Sequence, residues 1–301
     1  MMQPCERVNR TIQGLAVDRV PRGELIIDPV FCCRVLQTES FSFETALQFW
    51  ELLQLDLVVL AAPSEQMHGA DLGGGELTGN IRRWRRETDY YIFALINGGF
   101  ARTLASVGFL QFMTRVRSDK TALQEMIHRF TRDAVKEAEE AINAGAHGII
   151  MADDIAYDKG TYLSPAHLRE LYFSSLPEQL EKIKAKTAVF FHSDGNINKV
   201  LPDLIPAGFA GLQGLEPGAG MDLAQVKAAY GGDLCLMGNL DLSLLDGTGS
   251  EAEIRAAVYH TMGAGKVGGR YIFGTCAGLH RDLSVDPVLQ MYHLALEAGQ
   301  Y

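Results

Sequence analysis

The stretch ALQEMIHRFTRDAVKEAEEAINAGAHGIIMADD, residues 122–154, holds one complete helix-to-strand unit. Leu123, Met126, Ile127, Phe130, Ala134, Ala138, Ala141 and Ile142 recur at intervals of three and four residues, the period of a helix with one buried face, and Gly145 ends the run. Gly148–Ala152 follows as a short apolar run without alternation, the pattern of a parallel strand covered on both faces. It stops at two carboxylates, Asp153 and Asp154.

The same pattern recurs in both directions along the chain. Apolar runs lie at Glu24–Ile27, Leu57–Ala61, Tyr91–Ile96, Gly148–Ala152, Thr187–Phe191, Gly211–Leu215, Leu234–Met237 and Arg270–Phe273, eight in all. Helical patterns cover Phe43–Leu53, Ile197–Ala207, Leu223–Tyr230, Glu251–Met262 and Pro287–Ala298, and Ser164-Pro165 opens another with a cap and a proline at the first helical position. Eight strands alternating with helices predict an α/β fold, a (β/α)8 TIM barrel, as a single domain over residues 1–301 with a short N-terminal extension. A doubly wound open sheet is the competing architecture, but the first run is not followed by its GxGxxG fingerprint. No linker rich in proline, serine or charge divides the chain, and Gly73–Gly75 reads as a flexible connection.

Composition narrows the function. The 301 residues are 47% hydrophobic and 21% charged, a balance that excludes a disordered chain, and the net charge of -10 argues against nucleic acid. The one dense basic run, Arg82-Arg83-Trp84-Arg85-Arg86, precedes a strand and reads as a solvated helix face. Five cysteines without CxxC spacing read as reduced thiols. The start MMQPCERVNR is not a secretory leader and no run of eighteen apolar residues occurs, which predicts a cytoplasmic protein without a membrane partner.

In a barrel the chemistry sits at the C-terminal ends of the strands. There the chain places Asp28, Asp153-Asp154, His192-Ser193-Asp194-Gly195-Asn196, Glu216, Asn239, and Cys276 with His280 beyond. His192, Asp194, Glu216 and Cys276 have the donor types of a zinc site, and the His-x-Asp spacing sends both side chains to one side of an extended segment. The alternative is that His192 and Asp194 hydrogen-bond to each other beside an inert thiol. Asp153 and Asp154 are candidate acids or bases, since neighbouring carboxylates raise each other's proton affinity; a loop cap or an ion pair is the alternative. Tyr157 and Tyr162 could donate to a substrate oxygen, or simply pack.

Phe191-His192-Ser193-Asp194-Gly195-Asn196, with Leu201–Ile205, Glu216-Pro217, Gly220-Met221-Asp222 and Gly238–Asp241, resembles the uroporphyrinogen decarboxylase superfamily. So do Asp153–Ala156 running into Leu163-Ser164-Pro165 and, more loosely, Val17–Pro21. The resemblance implies a (β/α)8 barrel. True decarboxylases of this superfamily carry an arginine-containing PVWxMRQAGR signature and an FSDI-type aspartate; here the corresponding segments read Gly23–Pro29 and Ala61-Ala62-Pro63-Ser64, with neither.

The resemblance therefore implies the other branch, corrinoid-dependent methyltransferases, whose zinc site combines His-x-Cys, a distant Cys and a supporting glutamate. His192, Glu216 and Cys276 match, and Asp194 replaces the first cysteine. An aspartate makes a harder ion suited to polarising oxygen, which points to demethylation of methoxylated or N-methylated compounds. The implied catalytic set is Asp153, Asp154, His192 and Glu216, with Asp28, Tyr157, Asn196, Asn239 and His280 binding substrate. The implied partner is a separate corrinoid protein carrying cobalamin, since the chain has no DxHxxG motif of its own. A homodimer is compatible with this reading. A carboxy-lyase and a non-catalytic tetrapyrrole- or corrinoid-binding barrel are the alternatives.

Overall fold

Seven of the eight apolar runs form one parallel sheet in the computed structural model, which describes residues 2–62 and 75–301. Pro63, Ser64, Gly73 and Gly74 lie outside the described residues. Helices α1 (Pro4–Ile12), α2 (Pro29–Leu36) and α3 (Phe43–Leu53) precede β1 (Leu57–Ala61), and α4 (Leu77–Glu87) leads to β2 (Tyr91–Asn97). Helices α5 (Gly99–Val107), α6 (Phe109–Ser118) and the long α7 (Lys120–Ala144) lead to β3 (Gly148–Ala152). A hairpin of β4 (Ala156–Tyr157) and β5 (Gly160–Thr161), then α8 (Pro165–Leu171) and α9 (Leu176–Lys184), precede β6 (Ala188–Ser193). The chain continues through α10 (Leu201–Ala207), β7 (Gly211–Gly214), α11 (Leu223–Tyr230), β8 (Cys235–Leu240), α12 (Glu251–Gly265), β9 (Tyr271–Thr275) and α13 (Val285–Ala298). The sheet runs β1-β2-β3-β6-β7-β8-β9, with every pair parallel.

The expected first strand, Glu24–Ile27, is not one. Its place is held by two isolated bridges, Arg22 to Phe273 in β9 and Ile27 to Leu279 beyond it. The reason is local. The backbone N–H of Thr275, which a regular neighbouring strand would bond through a carbonyl, instead donates to the Glu24 carboxylate at 3.0 and 3.1 Å. Arg22 meanwhile accepts the N–H of Asp56, just before β1, at 2.8 Å. The fold is thus a curled, TIM-barrel-like sheet of seven strands with an irregular segment bonded to β9 and to the residue leading into β1.

Successive side chains of a strand face opposite sides, so one residue parity supplies each core. Val59, Phe93, Leu95, Ile150, Phe190, Met237 and Ile272 fill the inner cluster, whereas Val58, Ile92, Ile149, Val189 and Phe191 pack with the helices. Burying such a side chain stabilises the fold by roughly 1.5–3 kcal/mol. Continuing the inner parity past the strand ends brings Asp154, His192, Asp194, Gln213, Asn239 and Cys276 to the inner side. The basic run lies on α4 as expected: Trp84 is buried, Arg83 stacks 4.0 Å over Phe43 and Arg86 pairs with Glu87 at 2.6 Å. Among the described residues no helix is long and apolar enough to cross a membrane.

Candidate active site

The loop after β6 carries the centre of the site, and Gly195 shapes it. Its φ of +78° is left-handed, and a Cβ there would sit 2.6 Å from the backbone nitrogen of Tyr157. This close approach lets Asn196 donate its N–H to the Tyr157 carbonyl at 2.9 Å, joining the loop to the β4–β5 hairpin. The Gly195 N–H donates to Glu216 Oε2 at 3.0 Å, and the Asp194 N–H to Asp154 Oδ1 at 2.9 Å. Three strand ends, those of β3, β6 and β7, are thereby fixed to one another.

Within this frame one donor atom each from Asp154, His192 and Asp194 lies within 4.8 Å of the others. His192 is buried and turns Nε2 toward the two exposed carboxylates, 3.7 Å from Asp154 Oδ1 and 4.0 Å from Asp194 Oδ1. These separations are too long for hydrogen bonds, so the expected alternative of a direct His192–Asp194 hydrogen bond is absent. Asp194 is pushed above the ordinary carboxylate range by desolvation at the mouth; His192 opposes this, and Asp154 and Glu216 add to it. The structure thus joins His192 and Asp194, both expected as ligands, to Asp154, expected only as an acid. Glu216 and Cys276 lie outside that group of three. Cys276 is buried, which pushes its thiol up to about 12, with Asp241, Glu216 and Asp194 adding to the effect.

The remaining expected residues divide by what already holds them. Asp153 is on the opposite parity from Asp154 and fully buried: its carboxylate takes the Ala101 N–H at 2.7 Å, at the first turn of α5, and the Tyr172 hydroxyl at 2.5 Å. Burial pushes it up to about 7 against those two hydrogen bonds, and the charge of Asp154 contributes less than either. The elevation expected from paired carboxylates is therefore present in Asp153 for a different reason. Asp28 caps α2 through the Val30 N–H at 2.8 Å and takes Arg281 Nε at 2.8 Å. Asn196 donates to the Ala219 carbonyl at 2.9 Å, and Asn239 to that of Leu215 at 2.8 Å. Asn239 also borders a cleft of about 360 Å³ with Met221, Asp222 and His260. His280 is exposed, 3.9 Å from Asp282. Tyr157 is exposed and stacks on Tyr162 at 5.8 Å with an interplanar angle of 11°, and Phe109 meets Tyr162 edge-on at 5.5 Å.

Residues 87–297 match the uroporphyrinogen decarboxylase (URO-D) family. The chain belongs to that family. Asp154, His192, Asp194, Glu216 and Cys276 all fall inside the URO-D segment, whereas Asp28 precedes it. No curated protein matches the chain. Among solved structures it is similar to a methyltransferase from Methanosarcina mazei, at 19% identity over 99% of both chains with a TM-score of 0.78. It is also similar to a B12-independent methionine synthase from Shewanella, at 12% identity over 94% of this chain and 97% of that one, TM-score 0.61. A putative vitamin-B12 independent methionine synthase from Listeria monocytogenes aligns at 12% identity over 92% and 98%, TM-score 0.57. These likenesses show that the fold extends over nearly the whole chain.

Two placements are not legible in the sequence. Asp154 as a third donor was hidden because its partners are 38 and 40 positions away, and only the β3–β6 register, in which Ala152 pairs with His192, brings them together. Gln213 is the other; the signal available was a polar residue in the middle of the apolar run Gly211–Leu215.

Proposed function

We propose that this URO-D family protein is a methyltransferase component that removes a methyl group from a methoxylated or N-methylated compound and passes it to the cobalt(I) of a separate corrinoid protein. The observation that carries the reading is the Asp154–His192–Asp194 group at the mouth of a fold shared along its length with a methyltransferase. The donor set fits a divalent ion such as zinc: one imidazole nitrogen and two carboxylate oxygens converge without direct hydrogen bonds between them. His192, Asp154 and Asp194 would hold it, and it would supply Lewis acidity toward an oxygen or nitrogen leaving group.

The chain's own residues have the other tasks. Loss of a methyl group to cobalt breaks the bond from carbon to oxygen or nitrogen, and the departing heteroatom then needs a proton or a positive charge. Where no ion is held, Asp154 and Asp194 are instead the acids placed to provide that proton; Glu216 holds the Asp194–Asn196 loop through Gly195. Tyr157 and Tyr162 present a stacked aromatic wall next to Asp154 and Asp194, suited to a methylated aromatic ring or an ammonium group.

Decarboxylation of uroporphyrinogen fits less well. Among the described residues no arginine or lysine pairs with Asp154, Asp194 or Glu216, so a polycarboxylate would meet like charge at the mouth. The test is a screen of methoxylated aromatics and methylamines with reduced corrinoid protein, followed at the cobalt(I) absorption band. Loss of the band that depends on both donor and this protein supports the proposal; no loss with any donor, together with release of carbon dioxide from a carboxylate substrate, overturns it.

A further inference from the structure

His192 and Gln213 are register partners on the adjacent strands β6 and β7, so their side chains leave the sheet on the same inner face. Both are buried, 2% and 0% exposed. Each also carries a buried polar atom with no hydrogen-bond partner: Nδ1 of His192 and Oε1 of Gln213. The other end of each side chain is directed. His192 Nε2 faces Asp154 and Asp194, and Gln213 Nε2 donates to the Cys276 backbone carbonyl at 3.1 Å. His192 Nδ1 faces β7 itself, since a Cβ on Gly214 would lie 3.8 Å from it.

An unmatched buried polar atom costs about 1–3 kcal/mol, and native interiors pair nearly all of them. Here two lie on neighbouring residues of one sheet face. One is an obligate acceptor, the amide oxygen, whereas the imidazole nitrogen can be a donor or an acceptor. The two atoms can bond to each other in only one protonation pattern: a proton on Nδ1, donated to Gln213 Oε1 once the side chains close the remaining gap. A neutral imidazole carries a single ring proton, so this leaves Nε2 as a lone pair aimed at the two carboxylates. In the opposite tautomer both atoms are acceptors and cannot bond to each other.

From this geometry we infer that Gln213 is a positioning residue that sets the tautomer of His192, keeping Nε2 unprotonated toward the mouth. Gln213 reaches no reacting atom; it acts through the ring. Its amide is held by Cys276, so the segment after β9 helps set the state of a side chain at the end of β6. The inference rests on register and hydrogen bonding and holds whichever reaction the site performs.

The test is the tautomeric state of His192 in the full chain, read from the ring nitrogen chemical shifts of protein labelled with 15N-histidine. The His192 signals are assigned by their loss in His192→Ala, and the measurement is made well above the ordinary histidine pKa. The wild-type protein is expected to show the Nδ1–H form. Gln213→Leu removes the acceptor and the tether to Cys276; Gln213→Glu keeps an acceptor at the same place. If Gln213 acts through the acceptor, the tautomer ratio shifts roughly fivefold to tenfold toward Nε2–H in Gln213→Leu and stays as in wild type in Gln213→Glu. An Nε2–H wild type, an unchanged Gln213→Leu, or equal shifts in both variants would overturn the inference, the last by assigning the effect to the Cys276 tether. Should Gln213→Leu not fold, the wild-type tautomer and its retention in Gln213→Glu decide it.

Discussion

Replacing Asp153 by asparagine should flatten part of the protein's dependence of stability on pH. The carboxyl is fully buried, and burial raises it from 3.8 to about 7 despite hydrogen bonds from Ala101 and Tyr172. The sign follows from proton counting: between these values the folded protein keeps a proton that the unfolded chain releases, so stability falls as pH rises and levels off above about 7. A rise of that size corresponds to on the order of 4 kcal/mol lost across the window. Asparagine keeps the shape and can still accept from Ala101, but it carries no charge to bury. The variant should match wild type at the acid end of the window and exceed it by about 2–4 kcal/mol at the alkaline end. Glu24, also fully buried and raised from 4.5 to about 7, leaves the variant with a residual slope of the same sign. Tyr172→Phe, which removes a hydrogen bond to the charged form, should move the Asp153 step to higher pH. Urea unfolding at a series of pH values measures all three profiles. Parallel curves for Asp153→Asn and wild type would refute the claim that this carboxyl is held up by burial.

Gly195→Ala should cost about 1–2 kcal/mol for the left-handed backbone and about 1–3 kcal/mol for the approach to the Tyr157 backbone nitrogen, which cannot rotate aside. Thermal unfolding checks it, and a variant within about 0.5 kcal/mol of wild type would show that the loop relaxes freely. His192→Ala should weaken zinc binding by at least about 100-fold, while Glu216→Gln, which keeps an acceptor for the Gly195 N–H, retains the ion. Elemental analysis of wild type and both variants after dialysis against zinc tests this, and a wild type that takes up none would remove the metal from the account.

Much of the fold is legible because parallel strands buried on both faces are continuous apolar runs, and seven of the eight read that way are strands. The exception also looks apolar, but Glu24 sits within it, and its carboxylate takes the bond that a strand would make through its backbone. Nothing local distinguishes that use of a glutamate from a polar residue on an exposed strand face. The hairpin β4–β5 and helices α5 and α6 leave fainter marks. Their packing partners, such as Tyr172 against Phe100, are remote in sequence. At the site, residue type and position at strand ends point to His192 and Asp194, two of the three donors that the structure brings together. What could not be read was parity: whether each carboxylate of the Asp153-Asp154 pair faces the mouth or the helices depends on where β3 ends, and a shift of one residue exchanges their roles.

The proposed reaction is tested most directly by following the methyl group itself. With donors labelled in the methyl carbon, reduced corrinoid protein and this protein, the label should appear on cobalt at a rate that depends on the protein and falls sharply in His192→Ala. Label that never reaches cobalt, with carbon dioxide instead released from a carboxylate substrate by the wild-type protein and not by His192→Ala, would contradict methyl transfer and assign the same site to a carboxy-lyase.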